Sequence, residues 1–145
     1  MNKTKSEIAV ELFKSGLNCS QSVAAAFADE INMDEDDIKR LTIGFGGGVG
    51  RLREVCGAVS GMTFIISALY GDEGRASVYK RVQTVADEFK SATGSIVCRE
   101  LLGIDADSET QPIPEKRTDE YYKKRPCAEL VGISAKILED YIKSN

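Results

Sequence analysis

Seven of the eighteen residues from Gly44 to Gly61, GFGGGVGRLREVCGAVSG, are glycine. Glycine costs backbone entropy, so a cluster like this implies positive φ angles or close approach of backbone to something else. The stretch carries Cys56 and runs into a long uncharged segment that includes the 16 residues Val55–Tyr70. A membrane span needs ~20 apolar residues. Arg53 and Glu54 stand before the segment and Asp72 and Glu73 after it, so it reads as a buried core helix. The loop and the start of this helix are expected to shape a pocket floor, with the cysteines pointing towards it.

The rest of the chain reads as helices. Thr4 and Glu7 form a capping-box signature, and Ile8, Leu12 and Phe13 follow at helical spacing until Gly16. Asn18 can cap a second helix with Gln21 at its third position, and the apolar face is Val23, Ala24, Phe27 and Ile31. Asp34 caps a short third helix with Ile38 and Leu41 as its face. The acidic run Asp34–Asp37 is a first turn that favours the helix dipole. The central helix is expected from about Glu54 to Tyr70. Within it Gly57 and Gly61 lie one turn apart and let another backbone approach.

A fifth helix over about Glu73–Thr93 recurs in Val78, Val82, Val85, Ala86 and Phe89 and stops at Gly94. Ser95 caps a short sixth helix holding Cys98, Leu101 and Leu102. Residues 104–118 are polar with two prolines and read as a mobile surface loop. A short turn at Asp119–Lys124 precedes a last helix in which Pro126 suits the first position. That helix buries Leu130, Val131, Ile137, Leu138 and Tyr141. No strand pattern and no internal repeat stands out. The expected class is all-α: a compact single-domain bundle of about six to seven helices over residues 1–145, with a Gly-rich interhelical loop.

Composition narrows the chemistry. The 145 residues include no His and no Trp, which removes Ser-His-Asp and Cys-His catalysis and every His-bearing metal site. A net charge of −4 gives no general pull towards nucleic acid or anionic membrane. The N-terminus, MNKTKSEIAVELFKSG, has no apolar h-region, so a cytoplasmic location is expected. Structural disulfides are rare there, and four cysteines invite a redox or metal reading.

Cys19, Cys56, Cys98 and Cys127 are far apart, and no CxxC is present. On the helix boundaries above, all four fall in first helical turns. Unpaired N–H groups and the positive end of the helix dipole stabilise a thiolate there. Basic neighbours stand beside three of them: Arg53 before Cys56, Arg99 after Cys98, and Lys124 and Arg125 before Cys127. The bland alternative is four buried, inert thiols.

The glycine loop is no nucleotide motif. GxGxxG fails in every register, the P-loop Gly-Lys-Ser/Thr ending is absent, and no strand precedes it. Gly46, Gly47 and Gly48 could still bind an anion through backbone N–H groups, helped by Arg51 and Arg53, or simply make a tight interhelical turn.

The chain resembles a family named for its cysteine pattern, C_GCAxxG_C_C. The matching pieces are Cys19 in NCSQSV, the loop GFGGGVGR, the block from Cys56 to Gly61, FKSATGSIVCRELLG around Cys98, and PCAELV around Cys127. They run in order from about Asn18 to Leu138. Where the family label writes Gly-Cys-Ala, this chain has Cys56-Gly57-Ala58. The resemblance implies a helical fold and a redox role without an established substrate.

Three functions stay open. In the first, low-pKa thiolates exchange with disulfides, with Cys56 as the central thiol and another cysteine resolving; a thiol oxidoreductase is the enzyme class in view, acting on a redox partner or small molecule. In the second, Cys19, Cys56, Cys98 and Cys127 converge on zinc or an iron–sulfur cluster. In the third, the chain is a non-catalytic helical module, a homodimer packed through the small face of the central helix.

Overall fold

A computed structural model describes residues 2–104 and 109–145. Among the described residues there are eight α-helices: α1 Lys5–Lys14, α2 Cys19–Ala25, α3 Glu35–Thr42, α4 Gly57–Tyr70, α5 Arg75–Thr93, α6 Cys98–Leu102, α7 Asp119–Lys124 and α8 Cys127–Ser144. Six have seven residues or more, and no strand is formed by the described residues. The all-α expectation holds, with the short α6 and α7 bringing the number above the six or seven expected.

The starts of α1 and α2 follow from local chemistry. Thr4 and Asn18 each accept from the backbone N–H three residues on, and the side chains of Glu7 and Gln21 reach back to the cap. Two orphan donors are satisfied at each start. Asp34 caps α3 through the N–H of Asp36.

α2 is buried along its whole length. Its residues are small, and its polar ones are paired: the Ser20 hydroxyl donates to the Thr42 carbonyl at 2.7 Å, and Gln21 donates to the Lys39 carbonyl at 3.0 Å. A buried hydroxyl or amide costs little when so paired. α4 crosses directly against it. A Cβ on Gly57 would lie 3.2 Å from Cys19 Cβ, and one on Gly61 would lie 2.9 Å from Val23 Cβ. The small face of α4 is thus filled by α2 of the same chain, so a homodimer would have to use another face.

The core is one cluster that runs from Ala9 and Phe13 of α1 through Val23, Met62, Ile65, Val85 and Phe89 to Val131 and Leu138 of α8. Five boundaries and faces differ from the sequence reading, the first being α6, whose N-cap is Val97 and not Ser95. α2 ends at Ala25, and Phe27 is buried from the turns that follow. In α3 the inward pair is Ile38 and Thr42, one turn apart, and Leu41 is exposed. α4 starts at Gly57, because Glu54–Cys56 is drawn into an antiparallel bridge centred on Val55 and Val97. Pro126 is the N-cap of α8, one position earlier than expected. No helix among the described residues is long and apolar enough to cross a membrane.

Candidate functional site

The four cysteines line one cavity of about 350 Å³. Each stands where a helix begins. Cys19, Cys98 and Cys127 are the first residues of α2, α6 and α8, and Cys56 is the N-cap of α4. The helix-start placement read from sequence is therefore correct, and the fold points all four starts at one space.

Two local devices build the walls. In the first, Cys56 N–H donates to the Ile96 carbonyl at 2.8 Å and Cys98 N–H to the Glu54 carbonyl at 2.6 Å. This bridge holds Cys56 and Cys98 on neighbouring strands of chain. The second is the glycine loop. Gly47, Gly48, Val49, Gly50 and Arg51 all have positive φ, between 56° and 74°, and Arg53 follows at 61°. The chain turns left-handed here, which is costly for residues with a Cβ. The turn brings Gly48 against Cys98, where an added Cβ would lie 2.7 Å from Cys98 Cβ.

The loop amides are largely committed. Those of Val49, Gly50, Arg51, Leu52, Arg53 and Glu54 donate to carbonyls between Gly44 and Val49. Anion binding by the backbone of this loop, expected around Gly46, Gly47 and Gly48, loses these donors. Those three glycines and Arg51 do line the cavity.

Residues 109–118 form another wall, not a free surface loop, and residues 105–108 of the expected loop lie outside the described residues. The Glu109 carbonyl accepts from Arg51 at 3.2 Å and from Arg53 at 3.0 Å. The Glu109 carboxylate meets the buried Arg125 at 2.5 Å, and Glu115 meets Arg125 at 3.3 Å. Arg117 donates to the carbonyls of Phe13 and Leu17 and lies 3.9 Å from the Phe13 ring centre. The open C-terminus of α1 is thereby closed by a side chain a hundred residues away.

The thiols differ sharply. Cys19 and Cys127 lie near each other and each bears on the other's ionisation, and Tyr121 stands close enough to bear on Cys127 as well. Cys127 is half-buried and the other three are buried. The neighbouring Cys19, then Tyr121 and the charges of Arg125 and Arg117, outweigh burial and bring the Cys127 thiol down to about 7. Cys19 is pushed well up by the neighbouring Cys127 and by burial. Burial lifts Cys56 to about 12. It also raises Cys98, against the pull of Arg53, whose Nη1 lies 3.8 Å from the sulfur.

At Cys56, expected as the central thiol, burial opposes the thiolate. A helix dipole contributes about 0.3–1 kcal/mol, less than one pKa unit, whereas full burial moves a group by as much as 3–5 units. Position at a helix start alone cannot offset that. Arg53 faces Cys98, not its sequence neighbour Cys56, and Arg99 pairs with Glu54 at 3.1 Å. Tyr121 and Arg117 had no signal in the sequence, because nothing local ties them to a cysteine far away.

Metal binding fares badly. Among the described residues no three Cys, Asp or Glu side chains are placed to hold a metal ion. Cys19 and Cys127 lie near each other. The four sulfurs line one cavity, but the described residues form no ready coordination set for the zinc or iron–sulfur site expected from all four.

A family model described as "Putative redox-active protein (C_GCAxxG_C_C)" matches residues 17–141. An uncharacterised protein of Archaeoglobus fulgidus is 26% identical over 148 residues, covering 92% of this chain and 90% of its own. No solved structure matches significantly.

Proposed function

The chain belongs to the C_GCAxxG_C_C family, and from that premise we propose that it is a thiol–disulfide exchange protein whose working pair is Cys127 and Cys19. The observation that carries the reading is the closeness of these two thiols, with the more accessible one drawn down to about 7. An attacking thiol works best with a pKa near the ambient pH, where it is both ionised and still nucleophilic.

The chemistry balances with a disulfide as oxidant. The Cys127 thiolate attacks one sulfur of R–S–S–R′. A Cys127–S–S–R bond forms, the S–S bond of the oxidant breaks, and R′–S⁻ leaves. Cys19 then loses its proton to the departing thiolate and attacks Cys127 Sγ. The Cys19–Cys127 disulfide forms and R–S⁻ is released. Two protein thiols are oxidised and one external disulfide is reduced to two thiols. The Tyr121 hydroxyl, close enough to act on Cys127, can donate to its sulfur and stabilise the thiolate before attack and when Cys127 leaves again on reduction.

Trapping tests this. Reduced Cys19→Ser treated with a small disulfide is expected to stop at a mixed disulfide on Cys127, visible as a mass increase. Wild type is expected to go on to the Cys19–Cys127 disulfide, mapped by non-reducing peptide digestion. Inert thiols at both positions, or first reaction at Cys56, would defeat the proposal.

A further inference from the structure

The charged side chains lining the cavity are Arg51, Arg53, Arg117, Arg125 and Glu115. Glu109, beside it, adds one more carboxylate, on Arg125. Among the described residues four guanidiniums thus face two carboxylates, and a thiolate on Cys127 removes only one further positive charge. Carbonyl partners satisfy hydrogen bonds at Arg53 and Arg117 but neutralise nothing.

Arg51 is the least satisfied. Its Nη2 donates to the Glu109 carbonyl, and its Nε is buried with no hydrogen-bond partner among the described residues. It makes no ion pair with a described residue, since both nearby carboxylates are taken by Arg125. Burial, then the charges of Arg53 and Arg125, hold its guanidinium below the ordinary pKa. A buried donor without an acceptor costs about 1–3 kcal/mol. An acceptor arriving with a negative charge would relieve the crowding of positive charge.

We infer that the cavity selects a small anionic disulfide, with an acid group of the substrate held by Arg51 while its sulfurs meet Cys127. The inference rests on the exchange reading above and adds its substrate class. A volume of about 350 Å³ stands at the small end of ligand cavities, about 300–1,000 Å³, so a short thiol acid fits better than a bulky peptide. Charge-assisted contact to a guanidinium fixes one end of such a molecule. The exchange itself is the one written above, with R and R′ carrying carboxylates that take no part in the electron transfer.

The test compares three disulfides of similar size on the reduced full-length protein: dithiodipropionate (anionic), bis(2-hydroxyethyl) disulfide (neutral) and cystamine (cationic). Each rate is divided by its rate with free 2-mercaptoethanol. The anionic substrate is expected to lead the cationic one by about tenfold or more at low salt, with the gap closing as salt rises. Arg51→Gln should collapse the anionic-to-neutral ratio towards one, and Arg51→Lys should keep part of it. A readout without chemistry uses adipate, an inert dicarboxylate, on Cys127→Ser: a melting-temperature rise of about 2–4 °C is expected, and none with adipamide.

Equal normalised rates for all three, with the Cys19–Cys127 disulfide still forming, would overturn the anion selectivity and leave the exchange reading intact. An absence of adipate stabilisation would count against it in the same way. No reaction with any of the three would bring down exchange itself, and this inference with it.

Discussion

The Arg53 guanidinium lies 3.8 Å from the Cys98 sulfur, although the cysteine nearest to it in sequence is Cys56. The cause is backbone: Arg53 sits at a φ of 61°, just before the bridge that pairs Glu54–Cys56 with residues 96–98. Arg53 offsets part of the burial that raises the Cys98 thiol. Arg53→Gln is expected to raise the Cys98 pKa further and to slow its alkylation about tenfold near pH 8, since a hydrogen bond to a charged group contributes about 1.5–3 kcal/mol. Iodoacetamide labelling read by peptide mass spectrometry measures it. An unchanged rate at Cys98 would mean the contact has no influence on that thiol.

The left-handed turn stores strain that one substitution can release. Val49 is β-branched, exposed, and held at a φ of 65°. Such a residue costs about 1–2 kcal/mol in this region, more than the entropy penalty of glycine, about 0.5–1 kcal/mol. Val49→Gly should therefore stabilise the fold by a few tenths to about 1 kcal/mol, seen as a higher denaturant midpoint with an unchanged slope. A lower midpoint would show that the side chain packs more usefully than its exposure suggests.

Glycines of the same turn separate conformational strain from collision. An added Cβ at Gly50, φ 56°, meets nothing within 4 Å. At Gly48, φ 74°, it would lie 2.7 Å from both Cys98 Cβ and Glu54 N. Gly50→Ala should cost about 1 kcal/mol, and Gly48→Ala roughly 3 kcal/mol or more, with a changed reactivity at Cys98. Equal costs in the two variants would show that the loop yields freely at Gly48.

What could be read from the sequence was local. Asn18 with Gln21, and Thr4 with Glu7, announce helix starts because the cap and its partner lie within one turn. Of the four cysteines only Cys19 follows such a cap; the helix starts at Cys56, Cys98 and Cys127 carry no side-chain cap. The close approach at Gly57 and Gly61 was also legible as a small face, but its occupant, α2, was not. The pairing of Cys19 with Cys127 depends on how α2 and α8 pack, which no spacing encodes. Leu41 was misread because an apolar residue three positions from Ile38 has the right period, while so short a helix buries only Ile38 and Thr42. At Cys56 burial works against the thiolate that the helix dipole favours, and the dipole is the smaller effect.

Tyr121 ties the short helix α7 to the site. If its hydroxyl helps hold the Cys127 thiolate, as its closeness indicates, Tyr121→Phe should move the Cys127 alkylation midpoint upward from about 7 and leave Cys56 labelling as slow as before. The aromatic ring is kept, so the stability loss should stay near 1 kcal/mol, as for a typical lost hydrogen bond. An unmoved midpoint would leave Cys19 and the arginines as the whole cause of the low value.

The same thiol makes stability depend on pH in a defined window. In the unfolded chain Cys127 titrates near its ordinary value of 9.0, and in the fold near about 7. Between these values the folded protein binds fewer protons than the unfolded chain. Its contribution is therefore complete above 9.0 and is lost as the pH falls through about 7. Cys56 behaves oppositely: its folded value of about 12 gives a contribution that is complete below 9.0 and is lost as the pH rises towards 12. Cys19, also raised, falls on the same side as Cys56. The interval from about 7 to 9.0 thus belongs to Cys127. The unfolding free energy of wild type over Cys127→Ser should widen across it by about 1–3 kcal/mol, at 1.36 kcal/mol per pKa unit. Urea titrations at pH values across that interval measure the gap. A constant gap would mean that the thiol is not held ionised in the fold, and the attack assigned to Cys127 would lose its nucleophile.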